Sequence, residues 1–224
     1  MFTESNRIAK FESEFNQKMT NHTHYNQIAG KDINRTIAIS DGVFAVALTL
    51  LVLEIRIPAQ QLFHSEAELL NTFFGLGPKF LMYFLAFMTT GIFWTGHLAQ
   101  YKHIVNSDRN LSWINLLFLL SVTLLPFTTA FLGDYPHHKF PVFIYWLNIL
   151  LMGLMLYIHW SYAVKHKFVS TETFEFVDKA LRRRIIVAQS LYFIGMLLCF
   201  LNPFLSIAFI IAVQLNYAFG LITK

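Results

Sequence analysis

The stretch Arg35-Thr36-Ile37-Ala38-Ile39-Ser40-Asp41-Gly42-Val43-Phe44-Ala45-Val46-Ala47-Leu48-Thr49-Leu50-Leu51-Val52-Leu53-Glu54-Ile55 decides the class of fold. A helix needs about 20 apolar residues to cross the ~30 Å hydrocarbon core of a bilayer. Residues 36–57 supply that length, with one carboxylate, Asp41, already inside the apolar run. Five further runs follow at residues 77–99, 111–132, 141–164, 185–201 and 203–222. Only Asn202 and Pro203 separate the last two, a turn dipeptide that stops one helix and opens the next, so a tight helical hairpin is expected there. Residues 60–72, with Glu66 and Glu68 on an otherwise apolar pattern, read as a short amphipathic helix at the membrane interface.

The composition excludes a water-soluble globule. Of the 224 residues, 55% are hydrophobic and 13% charged, with a mean hydropathy of +0.49, whereas soluble chains carry about 25% charged residues. The net charge of +4 is too small to argue for nucleic acid. The single cysteine, Cys199, lies in an apolar run, so it forms no intrachain disulfide and reads as a small core residue. Residues 1–34 are polar and lack the apolar core of a signal peptide, which leaves the first apolar run in the mature chain. The expected organisation is a polar cytoplasmic segment over residues 1–34 and a transmembrane domain over residues 35–224.

Basic residues set the orientation. With the N-terminus inside, fourteen Lys and Arg fall on inner segments, and only Arg56, Lys79 and Lys139 fall on outer loops. That bias places both termini in the cytoplasm by the positive-inside rule and suits a multi-pass protein of the plasma membrane. Residues 165–184 then form the largest inner loop, whose Arg182-Arg183-Arg184 run suits anionic lipid headgroups better than a ligand site. The fold class expected is an all-α integral membrane protein with six transmembrane helices.

Ionisable groups inside a span are costly unless paired or hydrated, so each is a functional candidate. Arg35 and Asp41 lie about 120° apart around a helix, so Asp41 should find its main partner on another helix. Trp94-Thr95-Gly96-His97 ends the second run and Trp113-Ile114-Asn115 begins the third, both at the inner end and at the depth of Arg35 and Asp41. Such a cluster either fixes helix packing or takes part in transport or proton chemistry. His159 reads as a satisfied buried or interfacial histidine, and the adjacent pair His137-His138 supplies too few ligands for a metal site.

The first run also has an apolar side. With Val46 as origin, Ile39, Val43, Leu50, Leu53 and Ile57 lie within about 60° of it, Thr49 about 60° the other way and Asp41 about 140° away. By periodicity alone this stripe faces lipid or neighbouring helices more readily than a pore.

The motif Arg35-x-x-x-Ile39-Ser40-Asp41, the apolar run after it, Phe93-Trp94-x-x-His97, Trp113-Ile114-Asn115-Leu116-Leu117 and the later Pro126-Phe127 together resemble the transmembrane protein 175 family of potassium channels, in order and spacing. Six spans match one repeat of that family. The resemblance implies a homotetramer around a central pore lined by the first helix, with aliphatic constriction rings at Val46, Leu50 and Leu53 and the Thr49 hydroxyl beside them. It also implies that Arg35, Ser40, Asp41, Trp94, His97 and Asn115 form the polar network that braces the first three helices. No Thr-Val-Gly-Tyr-Gly filter occurs in the chain. Two positions depart from the family pattern: Ile39 stands where Phe is usual, and Val46 is smaller than the usual Ile or Leu, which shifts the expected seal to Leu50 or Leu53.

The function expected is passive potassium conduction, with no enzymatic activity and no cofactor, the potassium ion being the permeant species. The partners expected are further copies of the chain and membrane lipid. Two alternatives stand beside potassium conduction: a proton-coupled secondary transporter using Asp41 and His97, and an intramembrane enzyme or haem protein built on His97 and His159. The first lacks an inverted repeat or a broken helix pair at mid-membrane, and the second lacks a nucleophile motif.

Overall fold

The computed structural model describes residues 30–57, 65–170 and 174–220. Among them eight helices appear and no strand: α1 Ile33–Val52, α2 Glu66–Gly75, α3 Gly77–Tyr101, α4 Arg109–Thr123, α5 Leu125–Asp134, α6 Lys139–Lys165, α7 Phe174–Leu198 and α8 Pro203–Phe219. The expected polar segment lies outside the described residues up to residue 29, as do residues 60–64 of the expected amphipathic helix. The protein is an all-α, multi-pass membrane protein. Ile33–Val52, Glu66–Tyr101, Arg109–Asp134 and Lys139–Lys165 are long and apolar enough to cross a bilayer, and α8 is a shorter apolar helix.

Local chemistry explains the boundaries. Asp32 caps α1 by accepting the Arg35 backbone N–H at 3.1 Å, so the helix begins at Ile33, three residues before the expected span. The helix ends at Val52, so Leu53 is its C-cap and not an interior position. Ser65 caps α2, accepting the Glu68 N–H at 3.3 Å with Glu66 and Glu68 in the first turn, and α2 buries no residue of its own.

The third expected span is two helices. Pro126 has no N–H to give and crowds the carbonyl one turn back, which breaks the helix between Thr123 and Leu125. Asn148 of α6 fills the break. With its amide oriented by its hydrogen bonds, it donates to the Ser121 carbonyl at 3.0 Å and accepts the Leu125 N–H at 3.3 Å, the two backbone groups that an unbroken helix would have paired with each other.

Helix α7 starts well before the expected fifth span, so the basic stretch read as an inner loop is helical from Phe174 onward. An i,i+4 pair, Arg182 Nε to Asp178 Oδ1 at 2.7 Å, supports this polar half. The hairpin forms as expected: Asn202 caps α8, accepting the Phe204 N–H at 2.8 Å, and Pro203 opens the helix. The two arms meet closely at Gly195, whose carbonyl accepts the Ser206 hydroxyl at 2.6 Å, and a Cβ there would stand 2.9 Å from Ile210. Gly195→Ala is therefore expected to overpack the hairpin by about 1–3 kcal/mol, read as a lower melting temperature in detergent, whereas Gly75→Ala on α2, exposed and with nothing within 4 Å, serves as the neutral control.

Two clusters hold the bundle. The larger joins Phe44 and Ala47 of α1 to Leu85, Phe118, Tyr145, Ile149, Tyr192 and Ile210, with Cys199 buried at its edge. The smaller gathers Tyr101, Ile104, Leu111, Trp160, Ala163 and Val169 at one end. There an isolated antiparallel bridge between Ile104 and Val169 ties the α3–α4 loop to the segment after α6, with Val105 N–H on Phe168 O at 2.8 Å and Ser170 N–H on His103 O at 2.9 Å. Asp108 clamps the same end, capping α4 through the Leu111 N–H at 2.8 Å and accepting the Tyr162 hydroxyl at 2.8 Å.

Candidate functional site

Helix α1 has two unlike sides. Ser40, Phe44, Ala47 and Leu51 are buried and hold it against α3, α4 and α5. The opposite side is bare: Val46 is 57% exposed, Leu50 44% and Leu53 58%. Only 22% of the α1 apolar window is buried, against 39% to 50% in the other three spans, so this is the least enclosed of the four. Thr49 lies on the bare side, its hydroxyl donating to the Val46 carbonyl at 2.9 Å. That bond uses the proton and leaves the oxygen lone pairs facing outward.

Behind this face runs a polar chain across three helices. Ser40 Oγ donates to the Thr36 carbonyl at 2.7 Å, and Asn115 Nδ2 of α4 donates to Ser40 Oγ at 3.0 Å. The Asn115 amide oxygen lies 2.8 Å from His97 Nε2 of α3, which sets Nε2 as the protonated nitrogen of a neutral ring. Every donor in the chain then has one acceptor. His97 is fully buried, stacked on Phe118 at 5.3 Å and packed against Phe44 at 6.0 Å, so an aromatic layer seals the chain from the membrane. The His97 Nδ1 has no hydrogen-bond partner among the described residues.

Asp41, one residue on, faces a different helix. Its Oδ1 accepts the Trp94 indole N–H of α3 at 2.9 Å. Consecutive residues point about 100° apart around a helix, so Ser40 binds α4 while Asp41 binds α3. The two bonds fix the rotation of α1 and with it the direction of the Val46 and Leu50 side. Five of the six residues expected in the network are brought together. Arg35 is not: it is exposed, and its backbone N–H is engaged by the Asp32 cap while its guanidinium makes no hydrogen bond among the described residues.

Gln100, Tyr101 and Phe44, which no motif in the sequence marks as site residues, also surround the two buried histidines. Gln100 Oε1 lies 2.8 Å from His159 Nδ1, its Nε2 donates to the Leu156 carbonyl at 2.9 Å, and the Tyr101 hydroxyl lies 3.2 Å from His159 Nε2. His159 is thus a buried, fully satisfied histidine, as expected, and neither of its nitrogens is free to bind haem iron. Gln100 was visible as an amide near the end of an apolar run, the same signal that marked Asn115. His137 lies edge-on to Phe204 at 5.0 Å.

Comparison with known proteins places this geometry. Residues 35–126 match the family described as "Endosomal/lysosomal potassium channel TMEM175". A potassium channel of Chamaesiphon minutus is 27% identical over 84% of this chain and 94% of its own length. A potassium channel of Chryseobacterium is 25% identical over 81% of this chain and 90% of its own length. The human endosomal/lysosomal proton channel TMEM175 is 22% identical over 79% of this chain and 34% of its own length. The crystal structure of a lysosomal potassium-selective channel TMEM175 homologue from Chamaesiphon minutus superposes with a TM-score of 0.72 at 27% identity, over 84% of this chain and 97% of that one.

Proposed function

Starting from a chain that belongs to the TMEM175 family, we propose that it conducts potassium passively across the plasma membrane through a pore lined by α1 of four copies. The observation that carries the reading is the bare aliphatic side of α1, held in place by Ser40 and Asp41 on the opposite side. Its composition supports a protein partner over lipid. The exposed faces of the other spans are rich in Phe, such as Phe80, Phe84, Phe87, Phe127 and Phe143, whereas the bare side of α1 has none and carries Gly42 and Thr49 instead. Small residues and a hydroxyl permit close approach of like helices, and aromatic rings do not.

In the tetramer the Val46, Leu50 and Leu53 side chains form apolar rings. An ion passing such a ring sheds water or waits for it to widen, so the ring gates by dewetting. Potassium holds its hydration shell less tightly than sodium, and an apolar constriction therefore favours it without carbonyl coordination. The Thr49 oxygens offer the polar contact nearest these rings. Asp41, bonded to Trp94, serves the brace and not the ion. The potassium ion is the permeant species and no cofactor is required. The excess of Lys and Arg on inner segments supports cytoplasmic termini.

Recording from the purified protein in a planar bilayer with asymmetric KCl and NaCl tests this reading. Unitary current steps reversing near the potassium equilibrium potential are expected; saturable, pH-driven uptake without steps would support the proton-coupled transporter instead. Proton passage has its own support in the unpaired Nδ1 of His97 and in the description of the human relative as a proton channel, although Asp41 and His97 bond different partners and not each other. Thr49→Val keeps the shape and removes the oxygen, so it should lower the potassium-over-sodium permeability ratio about threefold, ~0.6 kcal/mol. A reversal potential unchanged under mixed cations would remove Thr49 from selectivity.

A further inference from the structure

Away from α1, a half-open cleft runs between α3, α6, α7 and α8, about 480 Å³ including its open side. Small residues make it: Gly96 of α3, Gly153 of α6 and Ala188 of α7 line it, and its other walls are mostly apolar. Arg184 stands among its lining residues, over the Tyr217 ring at 5.9 Å. The three consecutive arginines of α7 are not equivalent. Arg182 is held by Asp178 at 2.7 Å and by the Ser161 hydroxyl at 2.8 Å, whereas Arg183 and Arg184 are exposed and have no acidic partner among the described residues. The cleft therefore joins an apolar slot to one uncompensated guanidinium group, that of Arg184, since Arg183 lies on the far side of α7 and outside the lining.

Its polar lining is also incomplete. Gln189 donates to the Ile149 carbonyl at 3.3 Å, but its Oε1 is buried without a hydrogen-bond partner among the described residues. Side chains on a helix lean toward its N-terminus, so this group reaches from its Cα position back toward the Arg184 end.

We propose that this cleft holds one acyl chain of an anionic phospholipid whose phosphate rests on Arg184. A phosphodiester accepts from a guanidinium group in paired, charge-assisted hydrogen bonds. The acyl chain fills the slot beside Gly96 and Ala188. No α1 residue lines the cleft, so the proposal stands or falls independently of potassium conduction.

Native mass spectrometry of the full-length protein, titrated with phosphatidylglycerol or phosphatidylcholine, tests it. One phosphatidylglycerol per chain is expected, bound about tenfold more tightly than phosphatidylcholine. Arg184→Gln, on the surface and harmless to folding, should erase that preference, whereas Arg183→Gln, outside the cleft, should leave it in place. Ala188→Phe should fill the slot and abolish the bound species, with a circular-dichroism melt as the check on folding and Gly96→Leu as the replacement from the opposite wall should the first variant not fold. Equal affinity for the two lipids, a preference that survives loss of Arg184, or a lipid retained by a folded slot-filling variant would each overturn the proposal. So would a tetramer that binds no lipid because a neighbouring copy covers the cleft.

Discussion

Replacing Leu50 by asparagine is expected to raise potassium conduction about tenfold, ~1.4 kcal/mol off the barrier. Leu50 is exposed in the single chain, so the change removes no internal contact and its effect on folding is small. In the proposed tetramer it replaces four isobutyl groups by amides at one level of the pore. Water then remains in the constriction, and the ion keeps more of its shell. Leu50 should respond more strongly than Val46, because valine is shorter and leaves the wider ring, and more strongly than Leu53, which sits at the end of the helix as its cap. Unitary conductance and open probability in bilayers decide this; currents equal to those of the parent protein would remove Leu50 from the gate.

The second large effect concerns the brace. Asn115→Leu takes away both of the hydrogen bonds that Asn115 makes, to Ser40 and to His97. Hydrogen bonds between membrane helices are individually weak, averaging about 0.6 kcal/mol. Here the cost is larger, because His97 is buried and already has one unpaired nitrogen, and losing Asn115 leaves its ring with none satisfied. A buried polar group left unpaired costs about 1–3 kcal/mol, so a total near 2–3 kcal/mol is expected. It should appear as a melting temperature several degrees lower in detergent, together with altered gating, since α1 loses one of the two bonds that fix its rotation. Asn115→Asp serves as a partial rescue, since it keeps an oxygen for His97. A melting temperature unchanged by Asn115→Leu would show that the polar chain is not a brace.

What could be read in the sequence, and what could not, follows from the range of the forces involved. The apolar runs that became α1, α3, α6 and the α7–α8 hairpin were visible because bilayer thickness and backbone satisfaction impose length and composition on every span. The partnership of Asp41 with another helix followed from its angle alone. Its identity as the Trp94 indole did not, because the choice among Trp94, His97 and Asn115 depends on rotamers and helix offsets that no periodicity records. Arg35 looked like a member of the cluster because it shares the depth of Asp41. It remains exposed because its position lies about 120° around α1 from Asp41, off the side that packs against the other helices. The break at Pro126 was legible as a residue but not as a joint, since what makes it tolerable is Asn148, more than 20 positions on, entering the opened backbone pair. The helical extension of α7 before Arg182 was hidden for a different reason: its charge marks it as outside the membrane and says little about its conformation.

The direction faced by the aliphatic side of α1 carries the whole account, and thiol modification under voltage clamp reads it directly. Cys199, the single native cysteine, is buried and gives no background. Cysteine is placed in turn at Val46, at Leu50 and, as a control of similar exposure on α4, at Leu120. A water-soluble methanethiosulfonate reagent should then block the potassium current of the first two variants and leave the third unaffected. Block of the Leu120 variant, with currents through the Val46 and Leu50 variants untouched, would mean that α1 turns this side to lipid and that the ion takes another path.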